Sequence, residues 1–485
     1  MNYKMMSRFE AWILAIEAAF MVPAFLISLF SDGGKATLAF AMSIGILLAV
    51  AGLFALASMG AREGFYAREG LICVSVGWIL MSLFGCLPFW LSGEIPRFID
   101  ALFEIVSGFT TTGASILSDV ESLSKGILYW RSFSHWLGGM GVLVFLLAIV
   151  PSGGRKEGFT MHLLRAESPG PDVGKLSPKM RSTATVLYLT YIGLTVLNIV
   201  FLLIGDMPLF EAVCTAFGTA GTGGFGVKND SLMSYSPYIQ NVTTVFMLIF
   251  GVNFSCYYLI LLRRIRAVFK DEELRLYIGF IVGSIALIAV NIRGLYGTLG
   301  ETVRHAAFQV ASIISTTGFA TADFDLWPAF SKAILLLLMV TGACAGSTAG
   351  GMKMARILLL FKGLRRNLSK ILHPQRVEAI RVNDKVIDEK VLANTNAYLS
   401  AYVIIVAVSM LIISLDNFSM TTNFSAVLAC FNNIGPGLDA VGATCNYGGF
   451  SVVSKLVLIL DMLAGRLEIF PILILFGALR SDKLA

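Results

Sequence analysis

Long apolar runs constrain this chain more than any other feature of its sequence. A transmembrane helix needs about 20 apolar residues to cross the hydrocarbon core of a bilayer. About ten runs approach or reach that length, at residues 11–30, 37–58, 71–92, 127–151, 184–206, 239–262, 275–292, 329–362, 396–416 and 452–479. Only 14% of the residues are charged, against about a quarter in soluble domains. The sequence therefore predicts an all-α integral membrane protein with about ten transmembrane helices, and the runs at 329–362 and 452–479 are long enough to be broken or tilted.

Positive charges are concentrated between these runs. Six segments hold 27 of the 37 Lys and Arg residues, namely 1–10, 59–70, 150–182, 262–276, 353–390 and 480–485. Cytoplasmic loops are enriched in Lys and Arg, so the positive-inside rule predicts that both termini and these linkers are cytoplasmic. Topology alone accounts for most of this charge. The linker at 353–390, with ten basic residues, is also a candidate docking surface for a cytoplasmic partner.

Four similar five-residue strings divide the chain into repeats. They are FTTTG at 109–113, FGTAG at 217–221, ISTTG at 314–318 and FNNIG at 431–435. Each string follows an apolar segment of about 12 residues, which is too short to cross a bilayer and is better explained as a re-entrant half-helix. A polar residue stands near the start of each segment, where it could stabilise the helix N-terminus or add negative potential at an outer mouth. These residues are Glu104, Glu211, Gln309 and Ser425.

The repeat unit is a span, a half-helix, a glycine-ended strip and a second span. Four such units plus two leading helices account for the ten spans, and four linked units can close a ring in a pseudo-fourfold arrangement. The predicted division is 1–66 for the two leading helices, then 67–153, 154–268, 269–390 and 391–485 for the four pore repeats. The third repeat also carries an interrupted apolar run and the basic linker.

The strips have the composition of an ion filter. Glycine permits positive φ, so it lets neighbouring carbonyls turn in one direction, and a ring of carbonyls can replace the hydration shell of a monovalent cation. A single strip would more often be a small-residue helix contact, but four at matching places favour a filter. The candidate filter residues are Thr110, Thr111, Thr112, Gly113, Gly218, Thr219, Ala220, Gly221, Ser315, Thr316, Thr317, Gly318, Asn432, Asn433, Ile434 and Gly435.

The second strip has an ambiguous alignment because it contains several glycines. Gly223 could take the place of Gly113, but Gly221 is preferred because it keeps the spacing from Phe217 that Gly435 has from Phe431.

An intramembrane gate is predicted inside the run at 329–362. Four glycines lie within residues 341–353, and each costs a helix roughly 1 kcal/mol relative to alanine, so the span is expected to unwind. A phosphate loop is excluded because Met352 stands where the lysine is needed and no strand precedes it. A flexible packing kink is the alternative. The candidate gate residues are Gly342, Gly346, Gly350, Gly351 and Lys353, together with Arg466 in the last run.

Arg466 is a charge in the middle of an apolar run. Such charges are costly and usually face an interior cavity or a partner. A salt bridge to another repeat is the structural alternative, and Asp461 is a candidate partner.

The motifs together resemble the Trk/Ktr/HKT superfamily of potassium transporters over the whole chain. The residues that carry the resemblance are TTTGAS at 110–115, GGMG at 138–141, GTAGTGGFG at 218–226, STTGFATADF at 315–324 and NNIGPGL at 432–438. The resemblance implies a single-chain pore, usually assembled as a homodimer, whose four strip glycines contribute carbonyls to K+. It also implies that the interrupted run is a gate beneath the filter and that Arg466 stands in the pore. Related proteins with serine at the first glycine select sodium, so Gly113 favours potassium.

The implied function is potassium uptake across the bacterial inner membrane through a gated pore. The resemblance also implies a cytoplasmic regulatory subunit, TrkA, which binds ATP or ADP and NAD(H). This chain has no dinucleotide fingerprint of its own, so no organic cofactor is expected in it, and membrane lipid rather than nucleic acid is its expected surrounding.

Two other function classes are weighed against this one. Coupling to protons or sodium remains an alternative, although the repeats share one orientation and inverted repeats would favour a symporter more strongly. An enzyme would need converging acids, histidines or an activated nucleophile. The few intramembrane ionisable residues show no such spacing, and seven cysteines without a CxxC pair indicate no metal or disulfide framework. The chain is therefore predicted not to be an enzyme.

Overall fold

The computed structural model describes residues 2–60, 67–141, 180–376 and 378–480. The chain begins with two long helices, Tyr3–Ser31 and Gly34–Ala57, which pack against each other. Four segments of similar plan follow. The predicted repeat boundaries at 66 and at 153–154 fall on residues outside the described ranges, and the division into repeats remains a prediction.

Each segment has a long first helix, a short half-helix and an interrupted or shorter second helix. The first helices are Ala67–Gly85 with its continuation Leu87–Leu91, Met180–Ile204, Glu272–Asn291 and Glu389–Ile413. The half-helices, numbered 1 to 4, are Phe98–Phe109, Leu209–Ala220, Leu299–Ile314 and Met420–Phe431. The second helices are Lys125–Met140, Pro237–Phe250 with Phe254–Leu261, Ala329–Thr341 with Met354–Leu372, and Val452–Arg466 with Phe470–Arg480.

The remaining elements in the part of the chain that the structure describes are short connections. They are the helix Ile265–Lys270, the 3-10 turns Phe324–Leu326, Ser414–Asp416 and Asp439–Val441, and the antiparallel strands Arg381–Val382 and Lys385–Val386.

The predicted spans differ in continuity. Six described helices are long and apolar enough to cross a membrane alone, and the pair Pro237–Phe250 and Phe254–Leu261, bent by 90°, would make a seventh. In the predicted run at 127–151 the described helix ends at Met140, and residues 142–151 lie outside the described ranges. The runs at 329–362 and 452–479 are both broken. The breaks fall in the second helices, where hydropathy alone cannot separate a continuous helix from two pieces.

The four segments close into a ring through the half-helices. Half-helix 2 packs against Lys125–Met140 of the first segment, half-helix 3 against Pro237–Phe250 of the second, and half-helix 4 against Ala329–Thr341 of the third. Half-helix 1 packs against Val452–Arg466 of the last segment. Each half-helix therefore contacts the second helix of the preceding segment, and the series closes on itself.

A buried ion pair within the first segment also holds a loop of the second segment. Arg131 Nε lies 2.6 Å from Glu104 Oε1, and the two side chains are 3% and 0% exposed. Arg131 also donates to the Gly226 carbonyl at 3.0 Å, and its guanidinium lies 3.5 Å from the centre of the Phe225 ring. The Glu104 carboxylate also accepts a hydrogen bond from the main-chain N–H of Ile116. The ion pair thus holds both the loop after half-helix 1 and the loop after half-helix 2.

The expectation that Glu104 stands near a helix start is wrong. It lies in the middle of Phe98–Phe109, as Gln309 and Ser425 lie in the middle of their half-helices, and only Glu211 is in a first turn. Half-helices 1, 3 and 4 begin earlier in the sequence than their apolar residues indicate.

We predict that Glu104→Gln lowers the free energy of unfolding by about 3 kcal/mol, because Arg131 is left buried without its counter-charge. Thermal unfolding in detergent measures the effect. Glu121→Gln is the matched control, since Glu121 is exposed and an amide oxygen can still accept from the Asn229 N–H. Equal melting temperatures for the two variants would contradict the prediction.

Candidate functional site

Each half-helix ends in the same four-residue backbone conformation. In the first strip, Thr110 N–H bonds to the carbonyl four residues earlier, Thr111 to the one three earlier and Thr112 to the one five earlier. The same three bonds follow the other half-helices. The second residue of each strip is left-handed, at Thr111 (φ 56), Thr222 (φ 54), Thr316 (φ 57) and Asn433 (φ 55). The fourth is a glycine with positive φ, at Gly113 (81), Gly224 (78), Gly318 (85) and Gly435 (94).

The second strip is therefore Gly221–Gly224, and the predicted alignment is wrong by three residues. Gly218, Thr219 and Ala220 form the last turn of half-helix 2, so Gly221 takes the place of Thr110. Gly224, rather than Gly221 or Gly223, corresponds to Gly113. Gly218 has a packing role, because a Cβ there would lie 2.9 Å from the Phe319 ring. A small residue is thus needed at that position inside the helix, and this produced the misleading GTAG string.

The four strips contact one another in cyclic order. A Cβ on the fourth-position glycine of any strip would come within 3.0 Å of the third-position carbonyl oxygen of the next strip. The pairs are Gly113 with Gly223, Gly224 with Thr317, Gly318 with Ile434, and Gly435 with Thr112. Real Cβ atoms essentially never approach this closely. Glycine is therefore required at these positions both by the positive φ and by the neighbouring backbone.

The fourth-position glycines share one cavity. Gly113, Gly224, Gly318 and Gly435 all line a cavity of about 130 Å³, together with residues of the loops that follow the strips. Asn229, another lining residue, donates its side-chain amide to Asp119 at 2.9 Å. This hydrogen bond holds the pKa of Asp119, next in sequence to the lining residues Ser118 and Val120, below its usual range.

The walls behind the strips are chemically unequal. The first and third side chains bond to each other in two strips, Thr110 to Thr112 at 2.8 Å and Ser315 to Thr317 at 2.7 Å. In the fourth strip Asn432 bonds to the Tyr402 hydroxyl at 2.9 Å. The second strip has glycines at both places, and the buried residue His135 takes the space that side chains would need.

The second helix of the third segment is unwound at Gly342–Lys353, as predicted. Gly342, Gly346, Gly351 and Lys353 all have positive φ, between 66 and 75. The loop rests on the break in the second segment, where Cys344 N–H donates to the Gly251 carbonyl at 3.1 Å and Phe254 N–H donates to the Gly346 carbonyl at 3.0 Å. Two interrupted helices therefore support each other.

The loop lies directly against the strips. Gly350 N–H donates to Thr316 Oγ1 at 2.6 Å, and a Cβ on Gly350 would lie 2.5 Å from the Asn432 carbonyl oxygen. Lys353, 2% exposed, donates its ammonium to the Ala349 carbonyl within the loop. The loop thus rests on Thr316 of the third strip and on Asn432 of the fourth strip.

Arg466 connects the loop to the first strip. Its guanidinium donates to the Thr348 carbonyl at 2.9 Å, to Thr111 Oγ1 at 3.2 Å and to the Gly138 carbonyl at 2.5 Å. Asp461, the suggested partner, instead accepts a hydrogen bond from Ser409 at 2.7 Å. The predicted gate residues therefore converge on one side of the strip ring.

Sequence reasoning missed a second tie between the loop and the last segment. Arg356, just after the loop, forms an ion pair with Glu468 and lies 4.0 Å from the Tyr398 ring centre. Glu468 and Ile469 are consecutive left-handed residues, with φ of 61 and 65. Left-handed backbone is uncommon for a β-branched residue such as Ile469, and no composition signal marks it.

The chain is similar to known cation transport proteins over nearly its whole length. The family model TrkH, described as a cation transport protein, matches residues 38–485. The Trk system potassium uptake protein TrkH of Salmonella typhimurium is 35% identical over 487 residues, which cover 98% of this chain and 99% of that protein. Its Escherichia coli K12 counterpart is 35% identical over 474 residues, 96% of each chain.

A solved structure has the same fold. The crystal structure of the potassium transporter TrkH from Vibrio parahaemolyticus matches this chain with a TM-score of 0.87, at 31% identity and with 98% of both chains covered. These relatives are transporters rather than enzymes. The chain is an integral membrane protein, and it belongs to the TrkH family of cation transport proteins.

Proposed function

We propose that this protein takes up potassium through a selective, gated pore whose filter is the ring of four strips. The observation that carries the proposal is the closed ring itself, in which four backbone turns of the same hydrogen-bond pattern bring their fourth-position glycines to one cavity. The relatives, named as potassium uptake proteins, support potassium as the ion. The filter residues are then Thr110–Gly113, Gly221–Gly224, Ser315–Gly318 and Asn432–Gly435.

The chemistry of the ring suits a monovalent cation. Backbone carbonyls can replace the water molecules around K+ without a charged side chain. Each strip follows the C-terminal end of a half-helix, where the helix dipole places partial negative charge. Four such ends converge on the ring, so the site stabilises a cation, while its neutral groups bind the ion weakly enough to release it.

The loop Gly342–Lys353 and Arg466 form the gate in this proposal. Both contact second-position residues of the strips, Thr316 and Thr111, and neither lines the cavity that the fourth-position glycines share, which supports a gate on the other side of the ring. The positive charge of Arg466 raises the energy of a cation there. Opening requires that the bonds of Gly350 to Thr316 and of Arg466 to Thr348 break.

The position of the basic linker directly after the loop supports control from the cytoplasm. The helix Met354–Leu372 begins directly after the loop and carries Lys362, Arg365 and Arg366. A partner that binds this helix would pull on the loop. We propose the inner membrane as location, with cytoplasmic termini and linkers, a homodimeric assembly, and a nucleotide-binding subunit of the TrkA type as that partner.

We predict that Gly113→Ser reduces the ratio of rubidium to sodium flux by about ten-fold, the effect of about 1.4 kcal/mol of differential binding. The added Cβ must displace the Gly223 carbonyl oxygen. Tracer flux into proteoliposomes measures the ratio. Gly93→Ser is the matched control, since Gly93 has a similar φ of 80 and no neighbour within 4 Å. Sodium flux equal to rubidium flux in the unmodified protein would overturn the proposed function.

We also predict that Arg466→Gln increases basal rubidium flux several-fold without changing the rubidium-to-sodium ratio. The substitution removes the charge that repels cations and weakens the bonds that hold the loop at Thr348. The same proteoliposome assay, with the exposed Arg293→Gln as control, measures both quantities. Flux that is unchanged or lower in a variant of normal thermal stability would show that Arg466 does not hold the gate closed.

A further inference from the structure

One strip glycine differs from the other three in its hydrogen bonding. The Gly435 carbonyl accepts a bond from the Tyr447 hydroxyl at 2.6 Å. Within the described ranges, no group donates a hydrogen bond to the carbonyls of Gly113, Gly224 or Gly318. Tyr447 lies in the loop after the fourth strip, and its side chain is 2% exposed.

Tyr447 is held in place by the first segment. Its main-chain N–H donates to the Ser115 carbonyl at 2.8 Å, and Ser115 in turn donates to the Glu104 carboxylate at 2.9 Å. The phenol ring lies between Phe103 of half-helix 1, at 5.7 Å between ring centres, and Phe450, at 5.9 Å. The hydroxyl therefore reaches a fourth-strip carbonyl from a site built largely by the first segment.

The ring departs from fourfold regularity at this same junction. The Cβ position at Gly435 is 2.6 Å from the next carbonyl oxygen, the longest of the four equivalent distances. Gly435 also has the largest φ of the four glycines, at 94. The hydrogen bond from Tyr447 is therefore made to the one strip glycine whose φ and distance from the next strip differ most from those of the other three.

We propose that Tyr447 is a positioning residue of the filter, whose hydroxyl fixes the orientation of the Gly435 carbonyl and thereby sets discrimination between potassium and sodium. A carbonyl oxygen has two lone pairs, so the bond to Tyr447 leaves one for an ion. Glycine offers no side chain to restrain its peptide groups, and an external donor supplies that restraint. The inference rests on the proposed function of the strips.

Tyr447→Phe tests the proposal because it keeps the ring packing and removes only the hydroxyl. We expect the ratio of rubidium to sodium flux in proteoliposomes to fall about five-fold, the typical effect of one hydrogen bond. The melting temperature should stay within about 4 °C of the unmodified protein. Tyr257→Phe is the matched control. Its hydroxyl also donates to a backbone carbonyl, that of Ile249 at 2.5 Å, and its loss should leave the ratio unchanged.

A second readout does not depend on flux. Potassium bound to the folded protein stabilises it against thermal unfolding, so the potassium concentration that gives half-maximal protection in detergent reports binding. In the Tyr447→Phe variant, the ratio of the half-maximal potassium concentration to the half-maximal sodium concentration should rise about five-fold.

The outcomes separate this inference from the proposed function. Equal rubidium and sodium flux in the unmodified protein would overturn the proposal that the strips form a selectivity filter. A selective protein whose Tyr447→Phe variant keeps the same flux ratio and the same potassium protection would overturn the role of Tyr447 alone. A variant that aggregates or melts far below the unmodified protein would also overturn it, since Tyr447 would then serve the fold rather than the carbonyl.

Discussion

The close approach of each strip to the next is the constraint on which the rest of the structure depends. A fourth-position glycine of one strip lies where any Cβ would strike the third-position carbonyl of its neighbour, at all four junctions. Backbone at membrane depth that is neither helix nor closed barrel must be buried in protein or line a cavity. The half-helices satisfy this demand, because each packs against the second helix of the preceding segment and brings its strip to the same ring.

The interruptions of the second helices follow from the same arrangement. Residues 251–253, 342–353 and 467–469 leave helical geometry on the side of the ring where the loop and Arg466 lie. A continuous helix there would carry no free main-chain donors or acceptors. The breaks supply them, and Gly350, Thr348 and Gly251 use theirs to connect the loop with the strips, Arg466 and the bent helix. These hydrogen bonds hold the loop Gly342–Lys353 against the ring of strips.

Much of this architecture can be predicted from sequence because it depends on length and glycine. The apolar runs give the spans, segments of about 12 residues give the half-helices, and the glycines at 342–351 give the unwound loop. The second strip could not be aligned in this way, because Gly218-Thr219-Ala220-Gly221 fits a helix end as well as a strip. The bonds of Tyr447 to Ser115 and of Arg131 to Gly226 join different segments, and nothing in the local sequence indicates them.

Anomalous diffraction from crystals of this protein grown in rubidium salt tests the central claim most directly, since it locates the ion without relying on transport rates. The account predicts a rubidium peak on the axis between the four strips, bounded by Gly113, Gly224, Gly318 and Gly435. It also predicts that the peak is lost or weakened in crystals of the Gly113→Ser variant. A peak elsewhere in the membrane region, with none between the strips, would contradict the assignment of the ring as the potassium site.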